Sequence, residues 1–251
     1  MSAKNTKRKR TGREAMLVYP PGCLDITAVC DVVELTERLR ILACALEDVE
    51  VGAGCSYQAL ARYIAICFYR HLNPGVRYWS ACCTIELVRI YTLELLFKDL
   101  VWVKEVFFFL MHELEGLQLS PEDPNIKAYI HMLDKAAYWD VFPDCMRMMQ
   151  RSESVCCELF STLFAAARKE ILEVDAEVYE LLLDIMLPII EDQGVPQRLL
   201  EMVLSNAFKE NESRNKTAYC LARDLIKYAS PQFHVALERY VRKFVIPLMK
   251  P

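Results

Sequence analysis

Apolar residues recur at helical spacing along almost the whole chain from Asp31 onward. Steps of three and four residues place side chains on one side of a helix, whereas a half-buried strand alternates with a period of two. No comparable alternating run is present. The pattern therefore predicts an all-α protein. The four clearest helical faces are Val32, Leu35, Leu39, Leu42 and Leu46; Val76, Trp79, Cys83, Leu87 and Ile90; Ile126, Ile130, Leu133 and Ala137; and Ala218, Leu221, Leu225 and Tyr228.

Capping residues and prolines mark where these helices begin. Asn73, Ser120 and Ser230 each precede a proline, whose missing N–H and fixed φ are tolerated at the first helical position. Three further prolines are expected to kink or stop helices: Pro143, Pro188 and Pro247. The predicted helices span residues 31–48, 56–72, 74–92, 97–118, 121–139, 141–150, 152–170, 175–190, 196–208, 213–229 and 231–249.

Taken in pairs, these helices form units that open near residues 31, 73, 120, 152 and 194, at spacings of 42, 47, 32 and 42 residues. Helical hairpins that recur at about 40–47 residues are typical of HEAT and armadillo solenoids. One unit is short, so the repeat is irregular. We predict an irregular HEAT-type α-solenoid of about five helical hairpins plus a terminal helix, with a compact helical bundle as the alternative.

Charge divides the chain into a basic arm and an acidic body. Residues 1–14 carry a net charge of +5, whereas the other 237 residues carry 24 basic and 33 acidic side chains, a net charge of −9. We predict a disordered arm over residues 1–18 and a HEAT-like repeat domain over residues 19–251. A nucleic-acid-binding domain would itself be basic, so only weak chromatin contact through the arm is expected.

A run of four basic residues in the arm resembles a short nuclear-import signal and predicts a nuclear protein. The other interpretation is a solvated tail. The run consists of Lys7, Arg8, Lys9 and Arg10.

Candidate catalytic chemistry is sparse. The chain has 7 glycines, 4 histidines and 11 cysteines, without a Gly-rich phosphate loop, a zinc-binding spacing or a CxxC pair. The adjacent cysteines 82–83 and 156–157 diverge on a helix and are interpreted as core residues. We predict no cofactor, no metal, no membrane span and no catalysis. A small helical enzyme with a non-local Cys/His site is the alternative from another class.

Six short segments, in order along the chain, match motifs of one family. They are Tyr19–Gly22, His71–Arg77, Ala81–Cys83 with Val88–Tyr91, Leu114–Leu117, Leu159–Phe164 and Asn215–Ala222. The chain thus resembles the Pds-five (precocious dissociation of sisters) proteins, which are HEAT-repeat regulators of the cohesin ring. The resemblance implies a non-enzymatic scaffold in sister-chromatid cohesion. Its expected partners are the cohesin complex and cohesin-regulatory peptides of the Wings-apart-like or sororin type; a generic nuclear HEAT adaptor is the alternative.

Members of that family are much longer, so the chain resembles only their N-terminal portion. It is expected to be either a fragment or a short paralogue. An apolar stripe near its last residues would be partly exposed in a fragment and covered in a self-sufficient paralogue. The stripe consists of Leu237, Tyr240, Val241, Phe244 and Leu248.

One segment departs from the family pattern. Where the family carries an APDAP-like motif linked to peptide docking, both prolines are absent here. Without them the segment is expected to be more helical than its family counterpart, or to pack its leucines inward. In either case it is expected to bind basic-aromatic peptides more weakly than the family segment does. If a docking groove persists, Leu96 and Phe97 are its expected anchors. The predicted partner-binding residues are Tyr91, Thr92, Leu93, Glu94, Leu95, Leu96 and Phe97.

Overall fold

The computed structural model describes residues 17–27, 31–52, 57–97, 99–150 and 152–245, except the side chains of residues 244 and 245. Every regular element in these ranges is a helix, which confirms the all-α prediction. A 3₁₀ segment follows α5 at Leu114–Gln118, and a π-helical turn follows α14 at Val241–Val245. The α-helices are α1 Val32–Glu47, α2 Gln58–Phe68, α3 Pro74–Ile90, α4 Leu93–Leu96, α5 Leu100–Glu113, α6 Ile126–Tyr138, α7 Val141–Met148, α8 Glu153–Ala166, α9 Lys169–Val174, α10 Val178–Gln193, α11 Gln197–Ala207, α12 Lys209–Glu212, α13 Lys216–Tyr228 and α14 Ser230–Tyr240.

Side-chain caps begin the helices that the sequence marks most clearly. The Asp31 carboxylate accepts a hydrogen bond from the backbone N–H of Val33 at 2.8 Å. The Asn73 side chain accepts one from Val76 at 3.1 Å, with Pro74 at the first helical position. These bonds satisfy N–H groups that have no partner within the helix. The predicted start at Asn73 and Pro74 is therefore confirmed.

The helix predicted from residue 121 begins later, at Ile126. Ser120 to Asp123 form a turn instead, in which the Asp123 N–H donates to the Ser120 carbonyl at 2.9 Å. A second proline, Pro124, explains the delay, because it disfavours helical backbone at the residue before it.

Prolines within the helical runs are accommodated in different ways. Pro143 and Pro231 lie in the first turns of α7 and α14, where an N–H has no intrahelical acceptor. Pro188 lies inside α10, yet this helix continues to Gln193, so the proline does not stop it. Apolar side chains on both sides of Pro188 are buried, and their packing offsets the lost hydrogen bond. Pro247 lies outside the described residues.

The single helix predicted for residues 97–118 is divided. Its main part, α5, ends at Glu113, and the chain then tightens into the 3₁₀ segment. Gly116 lies in that segment against the ring of Tyr129. A Cβ added to Gly116 would lie 2.5 Å from the ring atoms, so a larger residue here would force the Tyr129 ring to move.

The helices pack in two rows, each helix contacting elements that lie nearby along the chain. One row runs through α1, α3, α6, α10 and α13, and the other includes α8, α11 and α14. Both α1 and α2 pack against α3. This nearest-neighbour packing is the arrangement of a helical solenoid, in which each layer buries its apolar face against the next one.

The aromatic segment of α5 lies at the centre of the core. Val106 and Phe107 are fully buried, whereas Phe108 is only partly covered. The ring of Phe107 meets that of Phe142 edge to face, with 5.6 Å between centroids. Such edge-to-face pairs add to the stabilisation from apolar burial.

The apolar stripe near the last described residues is partly exposed. Leu237 and Val241 are 36% and 42% exposed, and Tyr240 is partly buried. The side chain of Phe244 and the whole of Leu248 lie outside the described residues.

Truncation of Phe142 tests the central packing. We expect Phe142→Ala to lower the free energy of unfolding by about 3–5 kcal/mol, because the fully buried ring leaves a cavity beside Phe107. Leu72→Ala is the control, since Leu72 is 96% exposed and should change stability by less than about 0.5 kcal/mol. Urea denaturation of both variants measures the difference; similar losses would contradict this description of the core.

Candidate docking surface at the end of helix α3

The segment predicted to bind partners starts where α3 ends. Tyr91 has extended backbone, and its N–H donates to the Leu87 carbonyl at 3.0 Å. Thr92 is also extended, and the next four residues form the single turn of α4. The Phe97 N–H then donates to the Leu93 carbonyl at 2.8 Å. The segment is thus partly helical, as the absence of both prolines predicts.

The side chains of this segment divide into a buried set and an exposed set. Leu93, Leu96 and Phe97 are at most 2% exposed and belong to the core. Leu96 and Phe97 are therefore not available as anchors in this conformation, which corrects the expectation from the sequence. The reason is geometric: α4 packs against α2 and α3, so its apolar residues point inward. The side chains accessible to a partner are Thr92, Glu94 and Leu95, the last of which is 56% exposed.

Two contacts fix the neighbouring backbone at the end of α3. The Tyr91 hydroxyl accepts a hydrogen bond from the Tyr57 N–H at 3.1 Å, and the two rings meet edge to face. The Gly52 N–H donates to the Ile90 carbonyl at 3.2 Å. Because of this second bond, Val51, which is 64% exposed, lies beside the end of α3.

A buried ionic network joins this end of α3 to α1 and α6. Glu86 accepts hydrogen bonds from Arg89 at 2.6 Å and from Lys135 at 2.7 Å. Arg89 also donates to the Leu46 carbonyl at 2.6 Å, and Lys135 pairs with Glu47. A buried carboxylate is stable only when its charge is compensated in this way. The network therefore fixes three helices relative to one another.

The charge state of Lys135 follows from the same contacts. Burial by itself lowers the pKa of this amine. The hydrogen bonds and charges of Glu47 and Glu86 outweigh burial, so that the pKa lies above its ordinary value. Lys135 is therefore protonated at neutral pH and holds both carboxylates.

An exposed aromatic pair lies beside Arg89. The Arg89 guanidinium carbon is 5.5 Å from the centroid of the Trp139 ring, a cation–π contact. Trp139 is 36% exposed, and Tyr138 packs edge to face against it and is 75% exposed. The following residue, Asp140, has a positive φ of 51°, which turns the chain sharply between α6 and α7.

Exposed apolar and acidic side chains therefore surround the end of α3. We call this set the α3-end surface. Its chemistry suits a partner segment that carries both apolar and basic residues. Val51 and Trp139 could not be recognised from the sequence, because only the long-range contacts of Gly52 and Arg89 bring them here. The α3-end surface consists of Glu47, Glu50, Val51, Thr92, Glu94, Leu95, Tyr138 and Trp139.

Cys82 and Cys156, one from each adjacent pair of cysteines, are buried thiols. Burial raises the pKa of Cys82 to about 12, against an opposing hydrogen bond from Tyr78, and burial likewise raises that of Cys156 to about 12. These thiols stay protonated at neutral pH and are poor nucleophiles. Among the described residues, no three His, Cys, Asp or Glu side chains are placed to hold a metal ion.

Two further sequence predictions concern import and membranes. The candidate import signal, Lys7 to Arg10, lies outside the described residues. No helix in the described part of the chain is both long and apolar enough to cross a membrane.

Comparison with known proteins identifies the family. Residues 33–249 match the family model described as "Sister chromatid cohesion protein PDS5 protein". The chain belongs to the PDS5 family. The resemblance seen in the sequence is thereby confirmed.

Full-length PDS5 relatives are much longer than this chain. PDS5 homolog A of Danio rerio is 30% identical over 226 residues, which cover 88% of this chain and 17% of the relative. PDS5 homolog A of Homo sapiens is 26% identical over 238 residues, which cover 93% of this chain and 17% of the relative. PDS5 homolog B of Gallus gallus is 27% identical over 241 residues, which cover 94% of this chain and 16% of the relative. The chain thus spans about a sixth of the length of these PDS5 proteins.

A solved structure shares the fold. It is described as "Structure of the Pds5-Scc1 complex and implications for cohesin function", and it superimposes with a TM-score of 0.70 at 16% identity. The match covers 86% of this chain and 33% of the solved one. This likeness confirms the prediction of an irregular HEAT-type solenoid.

Removal of the central carboxylate tests the ionic network. We expect Glu86→Gln to lower the free energy of unfolding by about 3–5 kcal/mol, because the buried Arg89 loses its carboxylate partner and Lys135 keeps only Glu47. Glu37→Gln is the matched control: Glu37 pairs with Arg40 at the surface, where solvent screens the interaction. Urea denaturation compares the variants. An equally small loss for both would show that the network contributes little.

Proposed function

We propose that this chain is a non-enzymatic scaffold in sister-chromatid cohesion, and that its α3-end surface docks short basic-aromatic peptides of cohesin regulators. The observation that carries the proposal is membership of the PDS5 family over residues 33–249. The expected peptides are of the Wings-apart-like or sororin type. The protein would act in the nucleus, on chromosomes.

The surface chemistry supports this choice of partner. Leu95, Val51 and Trp139 supply exposed apolar area, and aromatic side chains commonly dominate binding energy at interfaces. Glu94 and Glu50 supply negative charge for a basic residue of the peptide. Because Leu96 and Phe97 are buried, the contact area is smaller than a fully exposed docking loop would offer. Weak binding is the expected result.

Binding to the cohesin ring itself is a second part of the proposal. The solved structure with the same fold is a Pds5 complex with Scc1. A helical-repeat surface of this kind suits extended peptide segments, since it presents a long row of neighbouring grooves. We therefore propose a cohesin subunit as a further partner.

Affinity purification of the tagged chain, followed by mass spectrometry, separates this proposal from its alternatives. Recovery of cohesin subunits or their regulators supports it. Recovery of other nuclear proteins without cohesin would favour a generic HEAT adaptor.

Titration with a Wings-apart-like peptide tests the α3-end surface. We expect measurable binding, weaker than to PDS5 homolog A of Danio rerio, and a further loss of about tenfold in Leu95→Asp, because the charge replaces an apolar contact. Val33→Asp is the control, since Val33 is 79% exposed on α1. Fluorescence anisotropy measures the affinity. Equal binding by both variants would place the site elsewhere.

The predicted arm and its import signal call for a test in cells. Replacement of Lys7, Arg8, Lys9 and Arg10 by alanine should move a fluorescent fusion out of the nucleus, because import receptors recognise the clustered charge. Unchanged nuclear accumulation would leave the arm as a solvated tail. The control removes four exposed lysines elsewhere: Lys104, Lys127, Lys169 and Lys209.

A further inference from the structure

Helix α13 has a buried apolar face and a basic outer face. The buried face packs against α10 and α11 and consists of Ala218, Leu221, Ala222 and Leu225. The outer face follows the same helical spacing on the opposite side. It carries Lys216, Tyr219, Arg223 and Lys227, and the exposed Tyr228 lies between this face and the buried one. This cationic and aromatic face contrasts with the net acidic charge of the body.

Two of the cations are supported by aromatic rings. The Arg223 guanidinium donates to the Tyr219 hydroxyl at 3.1 Å and lies 5.5 Å from its ring centroid. The Lys227 ammonium lies 5.1 Å from the ring centroid of Tyr228. Cation–π contacts of this kind hold a charge in place without neutralising it.

No carboxylate in the described ranges forms an ion pair with Lys216, Arg223 or Lys227. The acidic residue of α13, Asp224, accepts a hydrogen bond from the Tyr179 hydroxyl at 2.7 Å and is thereby held towards α10. The positive charges of the outer face therefore remain available to a partner.

An apolar groove lies beside these charges. It has a volume of about 670 Å³ and runs between the end of α11 and α13. Ala207, Cys220 and Ile226 line it, with Arg223 and Lys227 at its side. Phe208 follows Ala207 and is 61% exposed. The groove thus combines space for an aliphatic side chain with two adjacent positive charges.

We propose that this α13 groove docks an acidic amphipathic helix of a protein partner. An aliphatic side chain of that helix would occupy the space above Cys220 and Ile226, while its carboxylates pair with Arg223 and Lys227. A protein partner is favoured over nucleic acid for two reasons. The groove is lined by apolar residues and by Asp224, and residues 15–251 carry a net charge of −9, which repels a phosphate backbone.

This site differs in chemistry from the α3-end surface. One surface is acidic and would select basic segments, whereas the α13 groove is basic and would select acidic ones. The same chain would then hold two partner segments of opposite charge at separate positions along the solenoid.

Defined probes test the proposal with the whole chain. The main probe is a fluorescent helical peptide with leucines four residues apart, flanked by glutamates. We expect it to bind, and Arg223→Glu with Lys227→Glu to weaken binding by at least about tenfold, because two attractive charges become repulsive. Ile226→Ser should also weaken it. The control double variant, Lys104→Glu with Lys127→Glu, makes the same change in net charge on exposed residues of other helices.

Three companion probes identify what the groove recognises. A peptide with glutamine in place of glutamate, and one with serine in place of leucine, should both bind more weakly than the main probe. Duplex DNA should bind weakly and without dependence on the groove variants. Circular dichroism confirms that each variant is folded. The proposal is overturned if the acidic peptide does not bind, if its binding is unchanged in the double variant, or if DNA binds more tightly and loses affinity in that variant.

Discussion

Helix α3 is buried on almost every side, and the positions of its neighbours depend on that burial. It packs against α1, α2, α5 and α6, so an unsatisfied polar group on it would be strongly destabilising. Ser80 and Thr84 satisfy their hydroxyl groups on carbonyls of the preceding turn, each at 2.7 Å. Glu86 cannot do so and requires cations from its own helix and from α6. The buried Glu86 therefore links α3 to α6 through Lys135 and, through Arg89, to α1, in addition to the apolar packing.

Local patterns in the sequence were sufficient for most of the fold. The apolar spacing and the Asn73–Pro74 cap depend on residues within one helix, and both are present in the structure. The delayed start at Ile126 could also have been predicted, since Pro124 follows Ser120 by four residues. The division of residues 97–118 was not predicted: the chain tightens around Gly116, where the Tyr129 ring approaches from another helix, and that contact is not visible in the local sequence.

The candidate site was less predictable than the fold, because its exposed residues are set by contacts between helices. The absence of prolines indicated a helical turn after Tyr91 or leucines packed inward, and both are present, but it did not indicate which side chains stay exposed. Packing of α4 on α2 and α3 turns Leu96 inward and leaves Leu95 outside. Trp139 joins the surface only through Arg89, fifty residues earlier in the chain. Tertiary contacts of this kind cannot be inferred from the residues of a single helix.

The narrow gap at Gly116 has a mechanical consequence for the solenoid. The ring of Tyr129 that covers it also touches Tyr78 of α3 edge to face, with 5.7 Å between centroids. A side chain at Gly116 would force this ring to shift, and the shift would disturb one of the contacts between α6 and α3. Each layer of a solenoid packs only against its neighbours, so a changed angle at one step displaces all the layers beyond it. The absence of a side chain at Gly116 therefore helps to set how these layers follow one another.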